Sequence, residues 1–226
     1  MAAYARISLG ALKARLTERL GGNSTFWTDR EKGYALNEAV RVWGALTGQW
    51  KKSIPLATTG DVIYDTPRQI ISMYRMRRNT DSPMDLWSLF ELDNGVTNWQ
   101  RAASGTPLAW TPIGVNKFAI YPPAAAGGTL WLDGIQRSPT MSADGDFIDL
   151  GDEEIGCVLD YSQHYLDLKQ GGLEHQASRG MLANFIKAAA RRNARLGASA
   201  FFRKYLGLDR DELERVARTK PDVGAR

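Results

Sequence analysis

Cys157, His164 and His175 are the side chains in this 226-residue chain best suited to metal binding or nucleophilic chemistry. The two histidines lie 11 residues apart with Gly171-Gly172 between them. A site built from all three would need ligands converging from two helices, and no short ligand spacing supports one. They read as surface or half-buried histidines. No GxSxG, HExxH or phosphate-loop motif occurs. Ser142-Ala143-Asp144-Gly145-Asp146 has the acidic texture of a calcium loop, but Phe147 falls where such a loop needs glycine and Ser142 is no carboxylate. A turn is the better reading. The sequence offers no catalytic residue, no metal site and no cofactor site, so the expectation is a protein that is not an enzyme.

Two further groups suggest binding. Trp87, Trp99, Trp110 and Trp131 fall in the middle of the chain. They form either an aromatic surface for carbohydrate or a partner, or inter-strand packing, which is where large aromatics usually go. Between His175 and Leu208 stand Arg179, Lys187, Arg191, Arg192, Arg195, Arg203 and Lys204, with no acidic residue. Lys187, Arg191 and Arg195 recur every four positions and form a stripe on one helix face. Like charges without counter-charges repel unless a partner supplies anions, from DNA phosphate or an acidic protein surface. The stripe is a candidate subunit-interface or polyanion-facing surface.

The elements that must carry these residues change in texture twice. Ser8 suits an N-cap, and Leu9, Leu12, Leu16 and Leu20 follow at helical spacing up to Gly21-Gly22. Thr28-Asp29-Arg30-Glu31 is a capping box, followed by Leu36, Val40 and Trp43 on one face and Thr47-Gly48 as a stop. From Ile54 prolines crowd in, at a frequency helices do not tolerate. Between them lie β-type runs at 62–64, 69–76, 86–91, 117–121 and 129–135, with Ala124 to Gly128 as a hairpin tip. Helix returns at Asp152, with Ile155, Leu159, Ser162 and Leu166 on one face, and again through Leu182, Phe185, Ala189 and Leu196. A short charged helix is expected over about 209–218. Helices, then strands, then helices point to α+β. The N- and C-terminal helices, 1–54 and 151–208, form a helical bundle. Residues 55–150 form an inserted β-rich sandwich- or barrel-like domain. Residues 209–226 form a C-terminal docking segment.

Charge follows the same division. Residues 1–54 carry 9 basic and 4 acidic side chains, residues 55–150 carry 7 and 10, and residues 151–226 carry 13 and 11. Basic ends and a mildly acidic middle suggest parts with different neighbours. The single cysteine fits assembly in a reducing cytoplasm. The N-terminus has no apolar stretch of the signal-peptide type, and no run approaches the roughly 20 residues that span a bilayer. No membrane partner is expected.

A series of short signatures then runs in order along residues 8 to 207. They are Phe26-Trp27-Thr28, Leu36-Asn37-Glu38-Ala39, Trp43 through Leu46-Thr47-Gly48, Gly105-Thr106-Pro107 with Trp110, and Tyr121-Pro122-Pro123-Ala124. Thr129-Leu130-Trp131-Leu132, Pro139, Asp160-Tyr161, Lys169-Gln170-Gly171-Gly172, Asn193 to Leu196 and Tyr205-Leu206-Gly207 complete it. In this order the chain resembles the head-to-tail connector, or adaptor, proteins of tailed bacteriophages, especially the tail tubular protein A type of short-tailed phages. The resemblance implies a structural virion protein at the head–tail junction, assembled in the host cytoplasm. It implies a ring, twelve copies in the family, between the portal protein ring and the tail proteins, continuing the channel through which genomic DNA passes without sequence-specific binding. It also implies portal docking through terminal segments, here with Leu213 and Val216 as apolar anchors and Arg215, Arg218 and Lys220 as the charged rim. A basic nucleic-acid-binding protein and a carbohydrate-binding β module remain the alternatives.

Overall fold

The computed structural model describes residues 6–22, 26–78 and 83–196, and these are mixed α and β. In chain order the elements are β1 (Arg6–Ser8), α1 (Leu9–Arg19), α2 (Asp29–Thr47), β2 (Lys51–Ala57), β3 (Ile63–Asp65), β4 (Ile70–Arg77), β5 (Asp85–Leu86), α3 (Leu89–Gly95), a 3-10 turn (Trp99–Arg101), β6 (Ala109–Pro112), β7 (Lys117–Tyr121), β8 (Thr129–Gln136), β9 (Phe147–Asp149), α4 (Asp152–Gln170), α5 (Gly172–Ala177) and α6 (Arg179–Leu196). The chain divides into a mainly helical unit, residues 1–49 with 138–226, and a strand unit, residues 50–137.

Local chemistry accounts for the ends of the helices. The Ser8 hydroxyl accepts the Ala11 amide at the start of α1. The capping box of α2 forms in both directions: the Thr28 hydroxyl accepts the Glu31 amide and the Glu31 carboxylate accepts the Thr28 amide. Gly48 ends α2 in the left-handed region, φ 65°, where glycine has no Cβ to strain. In the helical unit α2, α4 and α6 pack on one another and α1 lies on α2 and α4. Their buried faces carry the apolar residues at helical spacing: Leu12 and Leu16, Leu36 and Val40, Ile155 and Leu159, Phe185 and Ala189. Phe185 is wholly buried and holds the unit together, its ring 5.6 Å from Trp43 and 4.7 Å from Tyr161. Asn193 donates from α6 to the Leu46 carbonyl at 2.7 Å, so a buried amide is satisfied across two helices. The strands β1 and β9 pair antiparallel within this unit.

The strand unit has two sheets, one ordered β2-β8-β4 and one ordered β3-β7-β6-β5. Strand alternation sends Phe118 and Ile120 of β7 and Leu130 and Leu132 of β8 into one shared apolar cluster, with Ile54, Met76 and Trp110. The opposite face of the four-stranded sheet is covered by a second cluster, in which Leu92 of α3 and Trp99 pack on Ala119. The far face of the three-stranded sheet carries Ser53, Pro55, Arg75, Arg77, Trp131 and Asp133, the residues alternate to the core set. Gly134 is required where β4 bulges against β8, since a Cβ there would stand 2.6 Å from Ile70 and 2.9 Å from the Ser72 carbonyl oxygen.

Three local expectations fail for identifiable reasons. Residues 86–91 are not one strand: Ser88 and Glu91 form a capping box, and α3 begins at Leu89. The cap outweighs the β-type composition. Residues 124–128 are no hairpin tip, because β7 and β8 belong to different sheets and the segment crosses between them. The division falls at 49/50 and 137/138 rather than 54/55 and 150/151. Lys51 already pairs with Ile135, and β2 is an edge strand that accommodates Pro55, while β9 pairs with β1 in the helical unit. The expected helix at 209–218 lies outside the described residues.

Candidate functional site

The two histidines converge at the corner where α4, α5 and α6 meet. Their rings stack with centroids 4.6 Å apart and planes 21° apart. Ser178, buried between α5 and α6, donates to the His175 carbonyl at 2.9 Å and stands 2.8 Å from His164 Nδ1. The same hydroxyl also bonds the Asp167 side chain, so its one proton faces a carbonyl, a carboxylate and an imidazole nitrogen. Ser178 is the C-terminal cap of α5. Burial and the neighbouring His175 push the His164 imidazole below its ordinary value, and burial raises the carboxyl of Asp167. Cys157 stands elsewhere on α4, and burial raises its thiol. Among the described residues no group of three or more His, Cys, Asp or Glu could hold a metal ion.

The acidic loop is the expected turn: the Asp146 carboxylate accepts the amides of Ser142 and Ala143 at 2.6 and 2.8 Å. Of the tryptophans, Trp99 and Trp110 are buried and Trp87 packs against the α3 cluster, so these serve packing. Trp131 is half-buried on the far face of the three-stranded sheet.

The basic stripe is placed in part. Lys187 and Arg191 lie half-buried on α6, and Arg195 falls in its last turn. The counter-charge that the local sequence lacks comes from α4 in one case, where Arg192 Nε stands 3.1 Å from Glu154, an almost fully buried carboxylate. Burial raises Glu154, against the lowering pull of the Gly151 amide and the Gln49 side chain. Leu213, Arg215, Val216, Arg218 and Lys220 lie outside the described residues. Between α1 and α4 a shallow, open depression carries Arg15, Arg19, Glu18 and Asp152, charges of both signs with no convergent reactive set.

The charge cluster that the sequence did not single out is in the strand unit. Asp133, with a side chain 3% exposed, accepts Arg75 Nε at 2.6 Å and Arg77 Nε at 2.9 Å, and Arg77 Nη2 reaches its other oxygen at 3.0 Å and Ser53 at 2.9 Å. Burial alone would raise this carboxyl, but the hydrogen bonds from Arg77, Ser53 and Arg75 outweigh it and hold it at about 2. The i, i+2 spacing of Arg75 and Arg77 puts both on one strand face, which was legible. The partner strand that brings Asp133 beneath them was not.

Residues 7–222 match the SU10 adaptor protein family, and the chain belongs to it. It is a bacteriophage structural adaptor protein, a component of the virion, and its family implies portal and tail proteins as partners in general. No curated protein matches the chain. Among the described residues no helix is long and apolar enough to cross a membrane.

Proposed function

We propose that the chain is the ring subunit that connects the phage portal to the tail, close in kind to the tail tubular protein A adaptors, with no catalytic activity of its own. The observation that carries this reading is the family match over residues 7–222, which spans both units. In this reading the helices on either side of residues 50–137 form the bundle, and residues 50–137 are a sandwich-like insertion between them in the chain. Twelve copies close a ring beneath the portal, and genomic DNA passes through it without sequence-specific contacts. The segment 209–226 docks on the portal, with Leu213 and Val216 as anchors and Arg215, Arg218 and Lys220 around them. The stripe of Lys187, Arg191 and Arg195 meets a neighbouring subunit or the portal.

Negative-stain imaging of the chain mixed with the portal protein of its own virion tests the reading. An added ring on one end of the portal is expected, and bare portals at saturating chain would remove it. Deleting residues 209–226 should abolish co-sedimentation with portal rings and leave the folded core intact. Undiminished binding would move the docking site to the basic stripe. The purified chain should show no hydrolase or nuclease turnover that an alanine at His164 or His175 changes.

A further inference from the structure

Within the strand unit, where Lys117 pairs with Asp65, two other stretches carry opposite charge. Residues 67–78 contain Arg68, Arg75, Arg77 and Arg78 and no carboxylate, while residues 84–100 contain Asp85, Glu91 and Asp93 and no basic residue. The sheet arrangement puts these two stretches on opposite sides. Arg75 and Arg77 stand on the far face of the three-stranded sheet, beside Trp131 and next to Lys51, whose ammonium lies 5.6 Å from the Tyr74 ring centre. The acidic stretch forms β5 and α3, and α3 covers the outer face of the other sheet. The shared core lies between the two sheets.

The acidic side is also the apolar side. Phe90 is 75% exposed, Leu86 60%, Leu108 52% and Leu89 39%, and they gather at β5 and the first turn of α3, because β5 pairs beside Ala109 and the Asp85 amide bonds the Leu108 carbonyl. Asp85 and Glu91 stand among them, both exposed. This is an aromatic anchor with a carboxylate rim, the composition of a protein contact. The basic side supplies what it lacks. Asp133, buried beneath the sheet surface, fixes the Nε edges of Arg75 and Arg77, so the guanidiniums are held in place before any partner arrives. Arg75 remains half-exposed, and Tyr74, Trp131 and Pro55 offer apolar area around it.

We propose that these are the two halves of one head-to-tail contact: the Phe90 knob of one copy of the chain seats on the Arg75–Tyr74–Trp131 face of the next. Both halves lie in the same unit, on opposite faces, with opposite charge. A contact of that kind uses different patches on the two partners, and repetition of it yields a closed ring or an open filament rather than a two-fold dimer. Duplex DNA is a poorer occupant, since it accounts for the basic face and is repelled by the acid-rimmed knob. The inference deepens the ring reading and rests on it for the closure of the contact into a ring.

The test uses full-length chains carrying Cys157→Ser and one new cysteine beside, not in, a contact half: Asn94→Cys, one helical turn from Phe90, or Ala57→Cys, two residues along β2 from Pro55, both exposed. They are mixed at high concentration with a bis-maleimide. The expected product is the 94–57 heterodimer, several-fold above the 94–94 and 57–57 products and suppressed by salt. Equal yields of all three, or a dominant 94–94 product, would overturn the proposal. A second arm keeps folding and contact apart. Phe90→Asp changes only the knob and Lys51→Glu with Arg75→Gln changes only the sheet face, Asp133 keeping Arg77. Each should melt like the parent and fail to self-associate, whereas the two mixed should give one-to-one dimers and nothing larger, because one complementary pair of faces survives. Larger species in the mixture, or association of Phe90→Asp alone, would count against the contact. Salt-sensitive binding of a short duplex lost in the sheet-face variant, without a 94–57 product, would assign the face to nucleic acid instead. Complete rings of Phe90→Asp on the portal would discard the contact and leave the adaptor reading intact. A 94–57 product from free chains, with no ring of parent chain on any portal, would keep the contact and discard that reading.

Discussion

The helical unit and the strand unit handle charge in opposite ways. In the helical unit, ion pairs tie segments far apart in the chain: Lys13 to Asp29 and Asp144, Arg19 to Asp160, Lys169 to Glu31, and Arg192 to Glu154. These pairs bind the unit's own segments to one another. In the strand unit, Asp133 gathers two arginines on one face while the carboxylates of β5 and α3 stand on the other. A unit that satisfies its own charges suits a frame. A unit that separates them is suited to a neighbour. The exposed apolar side chains sharpen the contrast, since Leu86 and Phe90 cluster around one short strand and helix.

The comparison can be broken most directly at the frame. Phe185→Ala removes the ring that Trp43 and Tyr161 pack against, and should cost about 3–5 kcal/mol in denaturant unfolding. A loss under about 1 kcal/mol would mean that the helices are held by something other than this cluster. Asp133→Asn attacks the other unit. The folded carboxyl sits at about 2, below its ordinary value, so its stabilisation is full above about pH 4 and is lost as pH falls through about 2. The substitution should cost about 2 kcal/mol near neutrality, and the difference from the parent should vanish between about pH 4 and pH 2. A difference that persists at pH 2 would show that packing, not charge, makes Asp133 matter.

Thr28→Ala removes one half of the α2 capping box and should cost about 1 kcal/mol, read as a lower melting temperature. The smallest effect belongs to the α4–α5–α6 corner. His164 lies below its ordinary value in the fold, so the opened form takes up a proton more readily, and the stability it contributes is present above about pH 6.5 and lost as pH falls below. Amide exchange in α5 should therefore quicken on acidification in the parent and lose that dependence in His164→Gln. Unchanged pH dependence in the variant would place the titrating group elsewhere than at this corner, since the raised Asp167 carboxyl favours the fold on acidification.

The sequence by itself determined the helices and their inward faces. Ser8 and Thr28 as caps, Gly48 as a stop, and the spacing of Leu12, Leu36, Val40, Ile155 and Phe185 are local facts. A helix satisfies its backbone within one stretch of chain, so residues three or four apart report its geometry. Much of the strand content was readable in the same way, from alternation in 117–121 and 129–135. The tertiary structure decided everything that depends on which strand lies beside which. β8 pairs with β2 and β4 rather than with β7, the next strand before it, and that choice puts Asp133 under Arg75 and Arg77. The same holds for Glu154 reaching Arg192 across two helices, and for Ser178 lying between two histidines that are 11 residues apart. A strand finds its hydrogen-bond partners at any distance along the chain, and a buried charge its counter-ion, so no spacing within the sequence encodes either one.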